Sequence, residues 1–128
     1  MAAWDRRYRH AGASRLCGVK YLLLICGDQE SYEAMLADPD FLPACKAWAA
    51  ARGENLVMTG GLEPPAEATT VRVRGGEVLL SDGPFVESKE VVAGFSLIEC
   101  ASREEAVEAA QDHPVARYGT IELRALQP

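Results

Sequence analysis

The sequence predicts one α+β domain, and three observations carry that prediction. Two β-α-β units can be read along the chain. Between them, two β-type runs flank Gly75-Gly76, the pattern of a hairpin closed by a two-residue turn. The chain has 128 residues, 48% hydrophobic and 25% charged, which suits a single globular unit with a real core.

Residues 19–26 (Val-Lys-Tyr-Leu-Leu-Leu-Ile-Cys) predict the first strand, ended by Gly27-Asp28. A helical region starts near Glu30 and breaks at Asp38-Pro39-Asp40. Pro cannot continue a helix, so the main helix is placed at 42–52 and stops at Gly53. Residues 56–59 read as a second strand, followed by Gly60-Gly61 and a Pro64-Pro65 loop. The hairpin takes residues 69–74 and 77–80, and residues 94–100 are the next strand. Ser102, with Glu105 three residues later, forms a capping box opening a helix that runs to about Asp112. Pro114 stops that helix, and residues 120–126 form the last strand. Setting the hairpin aside, the order is β-α-β twice, the ferredoxin-like arrangement with two helices on one face of an antiparallel sheet.

The first strand carries a second message. An antiparallel strand with one wet face alternates, yet positions 21–26 are apolar throughout. Helices cover one face only, so the other is expected to pack on a second copy of the sheet in a twofold homodimer. The alternative is a monomer whose hairpin folds across its own open face.

The net charge of −6 argues against nucleic-acid binding, and no apolar run approaches the ~20 residues of a membrane helix. Residues 1–18 hold four Arg against Asp5, or +3, leaving −9 on the rest. They read as an extension outside the fold, so the domain is placed at 19–128. Cys17, Cys26, Cys45 and Cys100 form no CxxC and no ligand-like spacing with His10 or His113, so neither metal nor cofactor is expected. Without a secretory signal, reduced thiols and a cytoplasmic location are the expectation.

Asp82-Gly83-Pro84-Phe85 is turn chemistry with an apolar anchor, followed by Glu87, Lys89 and Glu90. It reads as a loop folded back onto the body, where binding groups gather. His113 is the one histidine inside the predicted domain, and either exchanges protons or bonds the helix end beside it. Cys45 near a helix start is either an activated thiol or a packed one. Tyr118, Thr120, Glu122 and Arg124 fall on one face of the final strand by period two, to line a ligand cavity or to pair with each other. Asp82, Glu87 and Lys89 form a site with Arg117, or serve only their own turn. The candidate set is therefore His113 and Asp82 as catalytic groups, with Phe85, Lys89, Arg117, Tyr118, Glu122 and Arg124 as ligand contacts.

Five stretches together, Lys20-Tyr21-Leu22-Leu23-Leu24-Ile25, Leu62-Glu63-Pro64-Pro65, Thr69-Thr70-Val71-Arg72, Asp82-Gly83-Pro84-Phe85 and His113-Pro114 through Arg124, resemble the YCII-related superfamily in its DGPF-domain branch. They span about residues 19–126. The resemblance implies a dimeric, ferredoxin-like α/β-barrel of bacterial, cytoplasmic origin with function largely unestablished. It also implies kinship in fold with muconolactone isomerase and a catalytic His–Asp pair. Here Cys45 stands where that His lies and His113-Pro114 where the Asp precedes Pro, with Asp112 one place earlier, so no such pair carries over. Two functions follow. One is a homodimer binding a small polar or acidic molecule, with acid/base chemistry of isomerase or lyase type. The other is a non-catalytic regulatory module associated with an extracytoplasmic-function sigma factor, implied by the genomic habit of the family.

Overall fold

The computed structural model describes residues 18–85 and 89–128, so Glu87 and nearly all of the leader fall outside it. In chain order the elements are β1 (Val19–Gly27), α1 (Gln29–Ala37), α2 (Phe41–Arg52), β2 (Leu56–Gly61), β3 (Thr69–Arg74), β4 (Glu77–Asp82), β5 (Val91–Cys100), α3 (Arg103–Asp112) and β6 (Thr120–Ala125). The expected break divides α1 from α2. Asp38 lies just before Pro39 and adopts extended backbone, as a residue preceding proline must. α2 ends at Gly53, whose φ of 56° suits glycine. At α3, Ser102 Oγ accepts from the Glu105 N–H at 3.2 Å, while Glu105 reaches back to the N–H of Ala101, one residue before the cap.

Four strands form an antiparallel sheet in the order β2-β5-β1-β6. This is the ferredoxin-like order, with β5 inserted between the strands of the first β-α-β unit. The β3–β4 hairpin is a separate two-stranded sheet inserted between β2 and β5. β5 begins three residues earlier than predicted, and its register shifts against β1 between Ile25 and Cys26.

Register sorts the side chains into two faces. Tyr21 lies opposite Ile98, and Leu23 opposite Ser96 and Leu123, so odd positions of β1 point to the helices. There Leu23, Ile98 and Cys100 join Trp48 of α2 and Ala106 and Ala109 of α3 in the core. Leu23 and Ile98 are wholly buried, each contributing about 1.5–3 kcal/mol from burial. The Trp48 indole N–H donates to the Ala109 carbonyl at 2.8 Å, locking α2 onto α3.

The opposite face carries Leu22, Leu24 and Cys26 beside Phe95 and Leu97, with Met58 across from Leu97. No helix covers it. Phe95 lies over Gly60, where a Cβ would stand 3.4 Å from the ring. Lys20 and Glu99 pair across strands at 3.8 Å, and Arg124 bonds Glu122 at 2.6 Å on the same face.

The Asp82–Phe85 loop does not fold onto the body. The Gly83 N–H donates to the Ala68 carbonyl and the Thr70 hydroxyl to the Gly83 carbonyl, so the motif closes the root of the hairpin. Gly83 has φ 91°, which explains the glycine. Phe85 is 69% exposed, with the Arg72 guanidinium 4.5 Å from its ring centre. Local hydrogen bonds and a cation–π contact hold this loop in place of a hydrophobic seat on the domain.

Candidate functional site

A cavity of about 730 Å³ opens at the end of the sheet where β1 finishes, between α1, the chain leaving β2 and the chain entering β5. α1 forms one wall. None of its nine residues is buried. At its inner edge a Cβ on Gly27 would meet the Ser31 side chain at 3.3 Å, so glycine there lets α1 approach the end of β1. Ile25, Met35, Leu62, Pro64 and Val91 give apolar walls, and Asp28, Tyr32, Glu63 and Lys89 supply polar groups. An apolar cavity with a few polar groups is the usual form of a small-molecule site.

Asp28 has two duties at this cavity. It caps α1, its Oδ1 accepting from the Ser31 N–H and hydroxyl, each at 2.8 Å. Those two bonds lower its pKa, and Lys89 lowers it further by charge. Cys26, also in the wall, has its thiol pKa raised by burial and then by the charges of Glu122 and Glu90, so the neutral thiol is favoured.

Of the predicted site residues, only Lys89 reaches this cavity. His113 caps α3 inside the helix layer, 6% exposed, with its ring 4.6 Å from that of Trp48 in an edge-on stack. Its Nδ1 accepts from the Val115 N–H at 3.1 Å, which fixes a neutral ring protonated at Nε2. Burial lowers its pKa to about 4. Asp82 ends β4 on the exposed hairpin, so the pair expected to act together stands on separate parts of the molecule.

Burial of a neutral imidazole makes stability depend on pH. Unfolded, the ring takes its proton near 6.5; folded, it does so only near 4. Between those values the unfolded chain holds the extra proton, so His113 leaves stability intact above about pH 6.5 and erodes it as pH falls towards 4. The expected loss across that window is roughly 3 kcal/mol. Urea denaturation at stepped pH should show it, and His113→Gln should flatten that slope. An unchanged slope in the variant would place the proton uptake elsewhere.

The remaining predicted contacts also separate. Tyr118 is not on the final strand: it ends a 3₁₀ turn (Pro114–Arg117), two residues before β6. Its hydroxyl donates to Asp38 Oδ2 at 2.5 Å, and its ring meets Phe41 edge-on. That bond lowers the pKa of Asp38 and raises that of Tyr118, with Arg117 adding a smaller attraction for Asp38. Tyr118 thus fastens the α1–α2 junction, and Arg117 is exposed beside it and does not line the cavity with Lys89. Glu122 and Arg124 do share the uncovered sheet face, but they bond each other. Phe85 belongs to the hairpin root.

Cys45 is the fifth residue of α2, beyond the first turn, and burial raises its pKa. The packed reading fits this better than the activated one. A smaller cleft of about 270 Å³ lies between α2, α3 and β5, with Arg52 amid Glu105, Glu108 and Asp112. Arg52 rests 5.5 Å from the Trp48 ring centre, and its buried Nε has no hydrogen-bond partner. Among the described residues, no group of three or more His, Cys, Asp or Glu could hold a metal ion, and no helix is long and apolar enough to cross a membrane.

Sequence reasoning missed Asp28, Tyr32 and Glu63 as cavity groups. Asp28 showed only as the end of a strand and Tyr32 as one helical residue among several. Glu63 lay inside the quoted Leu62-Glu63-Pro64-Pro65 stretch without a role.

Comparison with known proteins bears on the whole folded body. An uncharacterized protein of Rhizobium meliloti (strain 1021) is 45% identical over 67 residues, covering 51% of this chain and 54% of that protein. The chain thus spans about half the length of the relative it matches. The family model of the YCII-related domain matches residues 19–128, which takes in every element described above. With that match and the ferredoxin-like sheet together, the chain belongs to the YCII-related domain family.

Proposed function

We propose that the protein is a homodimer that binds a small polar or acidic molecule in the cavity at the end of β1. The observation that carries the reading is the cavity itself: about 730 Å³, walled by aliphatic side chains, with Lys89 and Tyr32 at its polar side. Lys89 supplies the cation for an acidic group, and the aliphatic wall takes the body of the ligand. Proton transfer of isomerase or lyase type would draw on Lys89, Glu63 and Tyr32, since His113 is packed in the helix layer. A cytoplasmic location remains part of this proposal.

The uncovered sheet face supports the dimer. Leu22, Leu24, Phe95 and Leu97 form an apolar centre, and Lys20, Glu99, Glu122 and Arg124 around it sum to zero charge. A twofold contact must be self-complementary, and this balanced face avoids the repulsion expected between two copies of a −6 chain.

A thermal-shift screen of hydroxy acids, aromatic acids and lactones tests the cavity. Lys89→Ala should weaken any acidic hit about tenfold or more, because one charge-assisted hydrogen bond is lost. Hits insensitive to both Lys89→Ala and Tyr32→Phe would move the site elsewhere.

A further inference from the structure

We infer that the β3–β4 hairpin is an arm that lies on a second copy of the chain, with Val71, Val73, Val78 and Leu80 facing that copy. The inference rests on the dimer reading above and extends the interface from the sheet to the insertion. Cross-strand pairing places Val71 against Leu80 and Val73 against Val78. Alternation puts these four on one face, with Thr69 and Asp82 at its root, and Thr70, Arg72, Arg74, Glu77, Leu79 and Ser81 on the other. The hairpin is thus amphipathic, as a strand pair is when one side is meant to be dry.

None of the described residues of its own chain dries that side. Val71, Val73, Val78 and Leu80 are 57–67% exposed, and Thr70 is the sole residue of the hairpin strands that is not exposed. The hairpin therefore does not fold across its own sheet, which was the monomeric alternative. A lone two-stranded hairpin is marginal in water without a third strand or another surface to pack on. The four aliphatics offer on the order of 400 Å², about half of the ~800 Å² each partner commits to a stable interface of standard size. The uncovered sheet face supplies an area of similar kind. The two patches together approach the usual size.

A second copy is the occupant these features fit. The four aliphatics carry no charge, and the one carboxylate on their face, Asp82 opposite Thr69, sits at the root of the hairpin, away from the Val73–Val78 pair near its tip. Twofold symmetry also uses both uncovered surfaces of each copy at once.

Hydrogen exchange of the wild-type protein, followed from nanomolar to high micromolar concentration, tests the arm directly. Amides of residues 69–82 should gain protection over the same concentration range in which light scattering reports dimer. Val73→Glu with Val78→Glu should raise the dimer dissociation constant at least tenfold, Leu24→Glu on the sheet should abolish dimer, and Leu79→Glu on the hairpin's other face should change neither. If Leu24→Glu abolishes dimer while residues 69–82 exchange equally fast at every concentration, the arm is overturned and the sheet dimer stands; another protein would then be the partner of the stripe. A wild-type chain that stays monomeric throughout overturns both.

Discussion

Trp48→Ala lowers the unfolding free energy by about 3–5 kcal/mol, the range for truncating a large buried aromatic. The site justifies the upper part of that range. The ring is 6% exposed and sits in the core with Leu23, Ile98 and Ala109. Its N–H is the donor to the Ala109 carbonyl, so truncation also breaks the tie between α2 and α3. It further removes the ring against which His113 is packed and over which Arg52 rests. Trp48→Phe keeps most of the apolar surface and loses the donor, so it should cost clearly less. Chemical denaturation at fixed protein concentration measures both. A loss under about 1 kcal/mol for the alanine variant would mean that Trp48 does not join the two helices in the way described.

Gly119→Ala costs about 3 kcal/mol or more, although it adds a single methyl group. The added Cβ would fall inside contact distance of the Cys26 carbonyl oxygen and 3.5 Å from the Gly27 Cα. Both are backbone atoms of β1, and backbone held in a sheet cannot turn aside as a flexible side chain does. The Gly119 N–H also donates to the Val115 carbonyl at 2.7 Å, which fixes it from the other side. Something has to move, and the start of β6 is the piece that can. Gly61→Ala is the control: its Cβ meets nothing within 4 Å, so its effect should stay within about 0.5 kcal/mol. Equal melting of the two variants would refute the steric account.

These two residues show what kind of information the sequence held. Local chemistry was legible. The Gly75-Gly76 turn appears with φ values of 57° and 82°, and the Ser102–Glu105 cap forms. The unbroken apolar run 21–26 foretold that both faces of β1 would be apolar, and one of them packs under the helices. Nothing in the string marked Gly119 as pressed against Cys26, because that approach depends on β1 and β6 pairing across nearly the whole chain. The cavity was illegible for the same reason. Its walls come from three separated stretches, and Gly61, Leu62, Pro64 and Val91 carry no chemical signature of a site. Period-two reasoning failed at Tyr118 because the 3₁₀ turn delays the strand to Thr120, so the alternation had not yet begun. Asp82–Phe85 misled in another way: a charged loop with an aromatic anchor binds its own hairpin here through Arg72 and Thr70.

The placement of β1 between β5 and β6 has a consequence for how this chain is made. Among the described strands, the one synthesised first is also the most greasy, and both of its neighbours follow all the others. Until Val91–Cys100 emerges, Tyr21 through Cys26 has no native backbone partner, a wait of several seconds at ordinary elongation rates. Misassembly of newborn chains should therefore begin at this segment, and chaperones that hold extended hydrophobic peptides should find it first.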